Sequence, residues 1–359
     1  MSSDLDKKIL ILIPALNPTK EFEEYVDLLI ENSFKNIVVI NDGSKEECKI
    51  IFDNISKKEG CNIITHEVNQ GKGKSLKDGL KYFNELENKN EFSGVITVDC
   101  DGQHLVKDIL SIAKEMENNS ESLLLGTRDF TRKDVPPKSS FGNKATSNVF
   151  RLLYGVKISD TQTGLRGIPT NLVEVFSNLS GNRYEYESNM LIECILRKIK
   201  FVEIPIETVY IDNNSNSHFR PIHDSISIYW KILNSFIKYS AVSIISCIID
   251  VVLFKIFLSI LNISVENSLI IVSTVLARIV SSFVNFGLNK KVAFNSNKKI
   301  KSTIIKYYTL CIVQMLVSGL AVSGIFALTH ISEVLIKIVV DTILFFINYR
   351  VQRIFIFNE

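Results

Sequence analysis

Four apolar stretches in the last third of the chain limit its fold more than any other feature. Residues 237–261, 265–288, 303–328 and 332–356 are each long enough, as a helix, to cross the ~30 Å hydrocarbon core of a bilayer. A buried bundle in a soluble protein is the competing explanation, and the placement of basic residues argues against it. Lys290, Lys291, Lys298, Lys299 and Lys301 crowd the segment between the second and third stretches, whereas the turns at 262–264 and 329–331 carry no Lys or Arg. With Lys231 and Lys238 before the first stretch and Arg350 and Arg353 near the end, the positive-inside rule predicts four spans with both termini cytoplasmic. Asp250, Lys255, Arg278, Lys337 and Asp341 fall inside the stretches, where charge is costly, and are expected to turn inward. Lys337 and Asp341 stand four apart and can pair on one helix face.

The rest of the chain belongs to a different solvent. Residues 1–230 carry 28 Lys and Arg against 34 Asp and Glu, and residues 231–359 carry 13 against 5, so a near-neutral total hides an acidic part and a basic apolar part. The six Cys, at 48, 61, 100, 194, 247 and 311, show no paired spacing and read as reduced thiols without a zinc site. Met1 to Lys8 lead into an apolar run without a signal-peptide pattern, which places the first domain in the cytoplasm. Nothing in the pattern asks for a nucleic acid partner. Apolar residues at 222, 226, 229, 230 and 233 recur at helical spacing, with Tyr229 and Trp230 among them, as in a helix that lies in the membrane interface or packs on the first domain. The expected division is 1–221, 222–236 and 237–359.

Within 1–221, Ile/Val/Leu runs at 9–13, 37–40, 62–65, 95–98 and 123–125 alternate with amphipathic segments, the pattern of a mostly parallel sheet with helices on both faces. A further strand-like pair, 201–206 and 207–211, closes the domain. Polar clusters follow the strands one after another: Pro14-Ala15-Leu16-Asn17, Asn41-Asp42-Gly43-Ser44, Asn69 to Lys74, Asp99-Cys100-Asp101-Gly102-Gln103-His104 and Gly126-Thr127-Arg128. In such sheets ligands bind beyond the carboxyl ends of the strands. Asp99 and Asp101, one residue apart, suit Mg²⁺ or Mn²⁺, hard cations that keep waters and share substrate phosphates. Asp42 can accept from a base or a ribose, and the glycines and lysines at 71–74 open the helix expected at 75–86, where an anion is welcome. Neither phosphate fingerprint is present, since Val68 occupies the first Gly of a P-loop and Leu76 the third Gly of G-x-G-x-x-G. That excludes the common ATPase and dehydrogenase architectures.

Taken in order, these motifs, with Asp160-Thr161-Gln162-Thr163-Gly164-Leu165-Arg166, resemble those of family 2 glycosyltransferases of the dolichol-phosphate mannose synthase type, over about residues 8–230. Tyr184 to Glu187 and Ser217 to Pro221 resemble further marks of the bacterial polyprenyl-phosphate branch, and the four spans resemble a GtrA-like membrane domain. The chain departs from the pattern at Leu16, where an aromatic is common, at Pro18 after Asn17, and at Leu165, where Phe is usual. The resemblance implies an α/β fold, a GT-A (Rossmann-like, mostly parallel) catalytic domain, followed by an all-α four-helix transmembrane domain. It implies metal binding by Asp99, Asp101 and Gln103, and donor binding by Pro14, Ala15, Asn17, Asp42, Gly43, Lys72, Gly73 and Asp99. Arg128 and Arg166 are the implied contacts to the acceptor phosphate, with Asp101 and Asp160 closest to the chemistry and Asp160 in an orienting or weak-base role.

The implied reaction is inverting transfer of a hexose from a nucleotide sugar, UDP-glucose or UDP-GlcNAc ahead of GDP-mannose, to a polyprenyl phosphate such as undecaprenyl phosphate. It would occur at the cytoplasmic membrane face, for cell-envelope glycans, by an enzyme that can form a homo-oligomer such as a tetramer. A processive polysaccharide synthase would need a Q-x-x-R-W motif, which the single Trp230 does not provide. A lipid-linked sugar carrier without transferase activity would leave the strand-end motifs without a use.

Overall fold

The computed structural model describes residues 9–132, 135–207, 221–261, 266–329 and 331–358. Met1 to Lys8, read as carrying no signal-peptide pattern, the end of the strand-like pair at 208–211 and the motif residues 217–220 lie outside them. The chain divides into two compact units, one formed by the residues up to Arg151 with Val156–Ile232, the other by Leu152–Gly155 with Leu233–Glu359.

The first unit is built on a seven-stranded sheet. Its strands are β1 (Ile9–Ala15), β2 (Ile37–Asn41), β3 (Cys61–Thr65), β4 (Gly94–Thr97), β5 (Ser122–Arg128), β6 (Arg166–Pro169) and β7 (Lys200–Ile206), in the order β3-β2-β1-β4-β6-β5-β7. All seven residues of β1 are buried, which is why it reads as an unbroken apolar run: a central parallel strand has no solvent face. Ile9, Ile11 and Ile13 pack with Phe22, Val26 and Leu29 of α1 (Glu21–Glu31), with Ile51, Phe52 and Ile55 of α2 (Lys49–Ser56), and with Ile109 and Ile112 of α4 (Val106–Asn118). Leu12 points the other way and meets α3 (Lys72–Glu85) so closely that a methyl at Gly79 would overlap its side chain. The two-layer cover expected from the alternation is therefore present.

β6 was not expected. Its four residues, with a Gly and a Pro among them, are too short to carry a strand pattern, and it runs antiparallel between β4 and β5. Reversal has a functional result: the residues preceding β6 arrive beside those following β4. Thr97 Oγ1 donates to Gly164 O at 2.7 Å, and Gly126 N to Leu165 O at 2.9 Å, so the 160–165 segment is fixed across the strand ends. The helices α5 (Pro137–Tyr154), α6 (Thr170–Ser177) and α7 (Glu185–Arg197) complete the set that precedes the long α8 (Pro221–Ile260). At the start of α8, Asp224, Ile228 and Ile232 are buried in the first unit while Ile226 and Trp230 are exposed. One face thus packs on this unit and another presents the aromatic.

The second unit holds the remainder of α8 with α9 (Glu266–Leu288), α10 (Ile300–Thr329) and α11 (Glu333–Val351). Three helical segments among the described residues, His223–Ile260, Ser268–Ala293 and Ile300–Thr329, are long and apolar enough to cross a membrane. The fourth expected span corresponds to α11, which is as apolar on average as α9 but carries Glu333, Lys337, Asp341 and Arg350 in nineteen residues, and that charge sets it apart. The expectation that the charges turn inward holds for Asp250, 20% exposed, and is corrected for Arg278, Lys337 and Asp341. The Arg278, Lys337 and Asp341 side chains are 72, 53 and 45% exposed, and their charge is offset by pairing instead, Arg278 with Asp250 at 3.4 Å and Lys337 with Asp341 at 2.9 Å. One polar cluster lies among these helices: Asn285 donates to Ser246 Oγ and accepts from Tyr307 and Asn289.

Candidate active site

The strand ends enclose two adjoining cavities in the first unit. One, of about 160 Å³, is lined by Pro14, Ala15, Leu16, Asp42, Asn69, Gly71 and neighbouring residues; the other, of about 210 Å³, includes Gln103, Arg128, Thr161, Gln162 and Glu187. Lys72, Asp99, Asp101 and Tyr184 line both. The wall between the cavities is therefore the carboxylate pair together with a lysine.

Asp99 leaves β4 at the point where the ladder to β1 ends, and it lies directly against the 160–165 segment. A methyl at Gly164 would overlap its carboxylate, so only glycine permits that approach. Asp99 N donates to His104 Nδ1 at 3.2 Å, which leaves the ring proton on Nε2, and Tyr25 donates to His104 O at 2.6 Å. Burial pushes the His104 imidazole down to about 4, so it is neutral at pH 7. Burial alone would raise the Asp99 carboxyl, but the Lys72 ammonium, with His104 and Arg128 behind it, holds it at about 2. Asp101 is pushed the other way, up to about 6, by burial and by the charge on Asp99. Gln103 follows in a tight turn whose amide donates to Asp101 Oδ1 at 3.1 Å.

Lys72 Nζ lies 2.7 Å from Asp99 Oδ1 and 3.2 Å from Glu187 Oε1. The sequence motif gave Glu187 no role; the fold makes it the second anchor of that lysine. A carboxylate pair that already attracts the Lys72 ammonium, with a glycine at 164 leaving its oxygens open, has the hard oxygen chemistry that suits Mg²⁺ or Mn²⁺. Among the described residues no three His, Cys, Asp or Glu side chains are grouped so as to hold a metal ion by themselves.

Other expected residues divide by position. Pro14, Ala15, Asp42 and Gly71 line the first cavity. Asp42 is buried, and accepts from Gln70 N and Gly71 N at 2.8 Å each. Gly43 has φ +69°, and any side chain there would strike the Val68–Asn69 backbone. Asn17, also left-handed at φ 48°, spends its side chain on Lys45 N at 2.8 Å and its amide on Ser44 Oγ at 2.9 Å, so it ties two loops together and is not among the cavity-lining residues. Gly73 lies beneath, where a methyl would collide with the backbone at Asn182 and Arg183.

Arg128 and Asp160 form one unit. Arg128 Nε and Nη2 donate to the two Asp160 oxygens at 2.6 and 2.9 Å, and Gln162 N adds a third contact at 3.1 Å. Asp160 is fully buried. That pairing fixes the orientation of Arg128, which lines the second cavity. Arg166 is not among the residues that line either cavity. It is 1% exposed, and its guanidinium donates to Thr163 O at 3.0 Å and Glu187 O at 2.8 Å, beneath the cavities, because β6 carries it into the sheet.

Comparison with known proteins gives this geometry its context. Residues 10–167 match the family model Glycosyl transferase family 2, and residues 238–357 match that of the GtrA/DPMS transmembrane domain. The UDP-N-acetylglucosamine–dolichyl-phosphate N-acetylglucosaminyltransferase of Methanococcus voltae is 33% identical over 224 residues, 58% of this chain and 88% of that protein. The chain belongs to the family 2 glycosyl transferases. It is a glycosyltransferase fused to a GtrA/DPMS-type membrane domain, and a membrane protein. The dolichyl-phosphate beta-glucosyltransferase of Trichomonas vaginalis is 25% identical to this transferase over 222 residues, 57% of this chain and 66% of that protein. The mostly parallel sheet with helices on both faces is the fold expected of the catalytic part.

Proposed function

We propose that this transferase moves a hexose or N-acetylhexosamine from a UDP-sugar to a polyisoprenyl phosphate, with inversion at the sugar carbon, giving a lipid-linked monosaccharide. The observation that carries the reading is the pair of cavities with a shared carboxylate wall. A donor placed in the first cavity puts its nucleoside against Asp42 and its diphosphate against Asp99 and Asp101; an acceptor in the second meets Arg128. Asp99, Asp101 and Gln103 would hold a divalent cation, which when bound supplies charge neutralisation for the departing diphosphate.

The acceptor phosphate is itself an anion, so its oxygen attacks without a strong base. What the chain must supply is placement and charge balance. The planar Arg128 fork, set by Asp160, is suited to a phosphate. Attack from the second cavity on a sugar whose diphosphate leaves toward the first places nucleophile and leaving group on opposite sides, hence the inversion. Two features favour a lipid acceptor: the apolar helices that follow the catalytic domain, and the dolichyl-phosphate acceptors for which the two relatives are named. The same relatives favour UDP-GlcNAc and UDP-glucose as donors. Our reading of the membrane part is four spans with both termini cytoplasmic, so that the catalytic domain works at the inner face.

The test is product analysis with full-length protein in detergent, polyprenyl phosphate and labelled UDP-GlcNAc, UDP-glucose and GDP-mannose. A lipid-linked single sugar from a UDP donor is expected, lost with EDTA and reduced by about 10²-fold or more in Asp101→Asn, the scale of losing one charged transition-state contact. A polymer, or transfer at the wild-type rate by Asp101→Asn, overturns the reading.

A further inference from the structure

A buried polar bridge at the end of β3 lies behind the first cavity and takes no part in the transfer described above. His66 follows β3 directly and is 8% exposed. Its Nδ1 lies 2.8 Å from Asp42 Oδ1, and its Nε2 lies 3.0 Å from Asp78 Oδ2 on α3. Both ring nitrogens thus face carboxylate oxygens. Asp78 is held in turn by Lys74 Nζ at 2.5 Å, one helical turn earlier. Asp42 also receives the amides of Gln70 and Gly71. The result is a continuous chain of contacts, Lys74–Asp78–His66–Asp42, that joins α3 to the ends of β2 and β3 and to the loop between β3 and α3.

A buried carboxylate can recognise a base only if its oxygens are already aimed. A site with fixed polar groups rejects a ligand that leaves them unpaired, whereas a mobile group adapts to several ligands. The two loop amides hold Asp42 from one side, and the imidazole holds Oδ1 from another, which fixes the plane of the carboxylate. Asp42 and Gly71 both line the first cavity. A single fold buttress would need one contact to one neighbour; here the ring is held at both ends, and the outer end is itself salt-bridged.

We propose that His66 is a positioning residue for the nucleoside of the donor: by bridging Asp42 and Asp78 it aims the Asp42 carboxylate at the base or ribose and so sets nucleotide selectivity. This rests on the reading that the donor nucleotide occupies the first cavity.

The experiment measures dissociation constants of UDP, CDP and GDP for full-length protein in detergent with Mg²⁺. For His66→Phe, which keeps the volume and removes the bridge, the Kd of the preferred nucleotide rises about tenfold and its advantage over the other two falls by a similar factor, as loss of one aimed hydrogen bond entails. His66→Gln, retaining one donor, lies between, and Asp78→Ala shifts Kd and selectivity in the same direction by a smaller factor. If His66→Phe fails to fold, the last two variants decide the matter. Unchanged affinity ratios in the folded variants overturn the proposal even if thermal stability drops, because a buttress alone would move stability and not selectivity. Absence of nucleotide binding by the wild-type protein overturns the donor-cavity reading itself and is thereby distinguished.

Discussion

Lys72 stands where a cation is wanted. Its ammonium takes Asp99 Oδ1 at 2.7 Å, and burial, which would lower it, is outweighed by Asp99 and Glu187, so it stays charged. A divalent ion held by Asp99 would compete with this ammonium for the carboxylate's charge. Replacing Lys72 by Met removes the competitor: nucleotide-free Mn²⁺ affinity, read by electron paramagnetic resonance, rises roughly tenfold, while UDP affinity in the presence of metal falls. Asp99, Asp101 and Arg128 were legible in the sequence because each sits in a contiguous strand-end motif. His66 and Glu187 were not, because they join the site through partners 24 and more than 100 positions distant. Arg166 shows the converse: a motif places a residue in sequence, but the direction of its strand decides whether it faces the cavity or the sheet.

The first turn of α3 is laid on the backbone of residues 182–183. Lys74 N donates to Asn182 O at 2.9 Å, and Gly71 and Gly73 leave room for that contact. Gly73→Ala forces its methyl against Tyr186 Cβ and Arg183 O, neither at the tip of a flexible chain. The expected cost is about 1–3 kcal/mol of stability in denaturant unfolding of the detergent-solubilised protein, with a higher donor KM because Lys72 and Gly71 move with the turn. The glycines were readable as a loop and helix start, but α3 begins at Lys72, three residues before the expected 75, since packing on 182–183 extends the helix where propensity alone would not. The same logic explains β6. Four residues between two well-formed strands are held by their neighbours' ladders, not by any pattern of their own.

At the scale of the whole molecule, the sequence separates two solvents clearly and their boundary less so. The first unit runs to Ile232, inside α8, where Ile228 and Ile232 are buried. Apolar length identifies spans well; α11 shows where it weakens, since paired charges interrupt the apolar run without forbidding a helix. Four spans predict that single cysteines placed at 263 and at 330, in a background without native Cys, label with a membrane-impermeant maleimide from outside intact cells, while one at 297 labels after permeabilisation alone. Labelling of all three from one side would leave no room for four crossings.

The cavities described above have a wall in common, and a shared wall imposes an order in time. Lys72, Asp99, Asp101 and Tyr184 belong to both compartments, so whatever settles in the first reshapes the second before anything enters it. On the proposed reading, the donor is expected to bind before the acceptor, and the lipid product to leave before the nucleoside diphosphate. In initial-rate measurements the double-reciprocal lines intersect, and UDP competes with the sugar nucleotide but not with the lipid. Parallel lines would instead require the sugar to rest covalently on the protein between two half-reactions. A membrane supplied with acceptor but starved of sugar nucleotide would therefore hold the enzyme open and unengaged, with flux set by the soluble substrate.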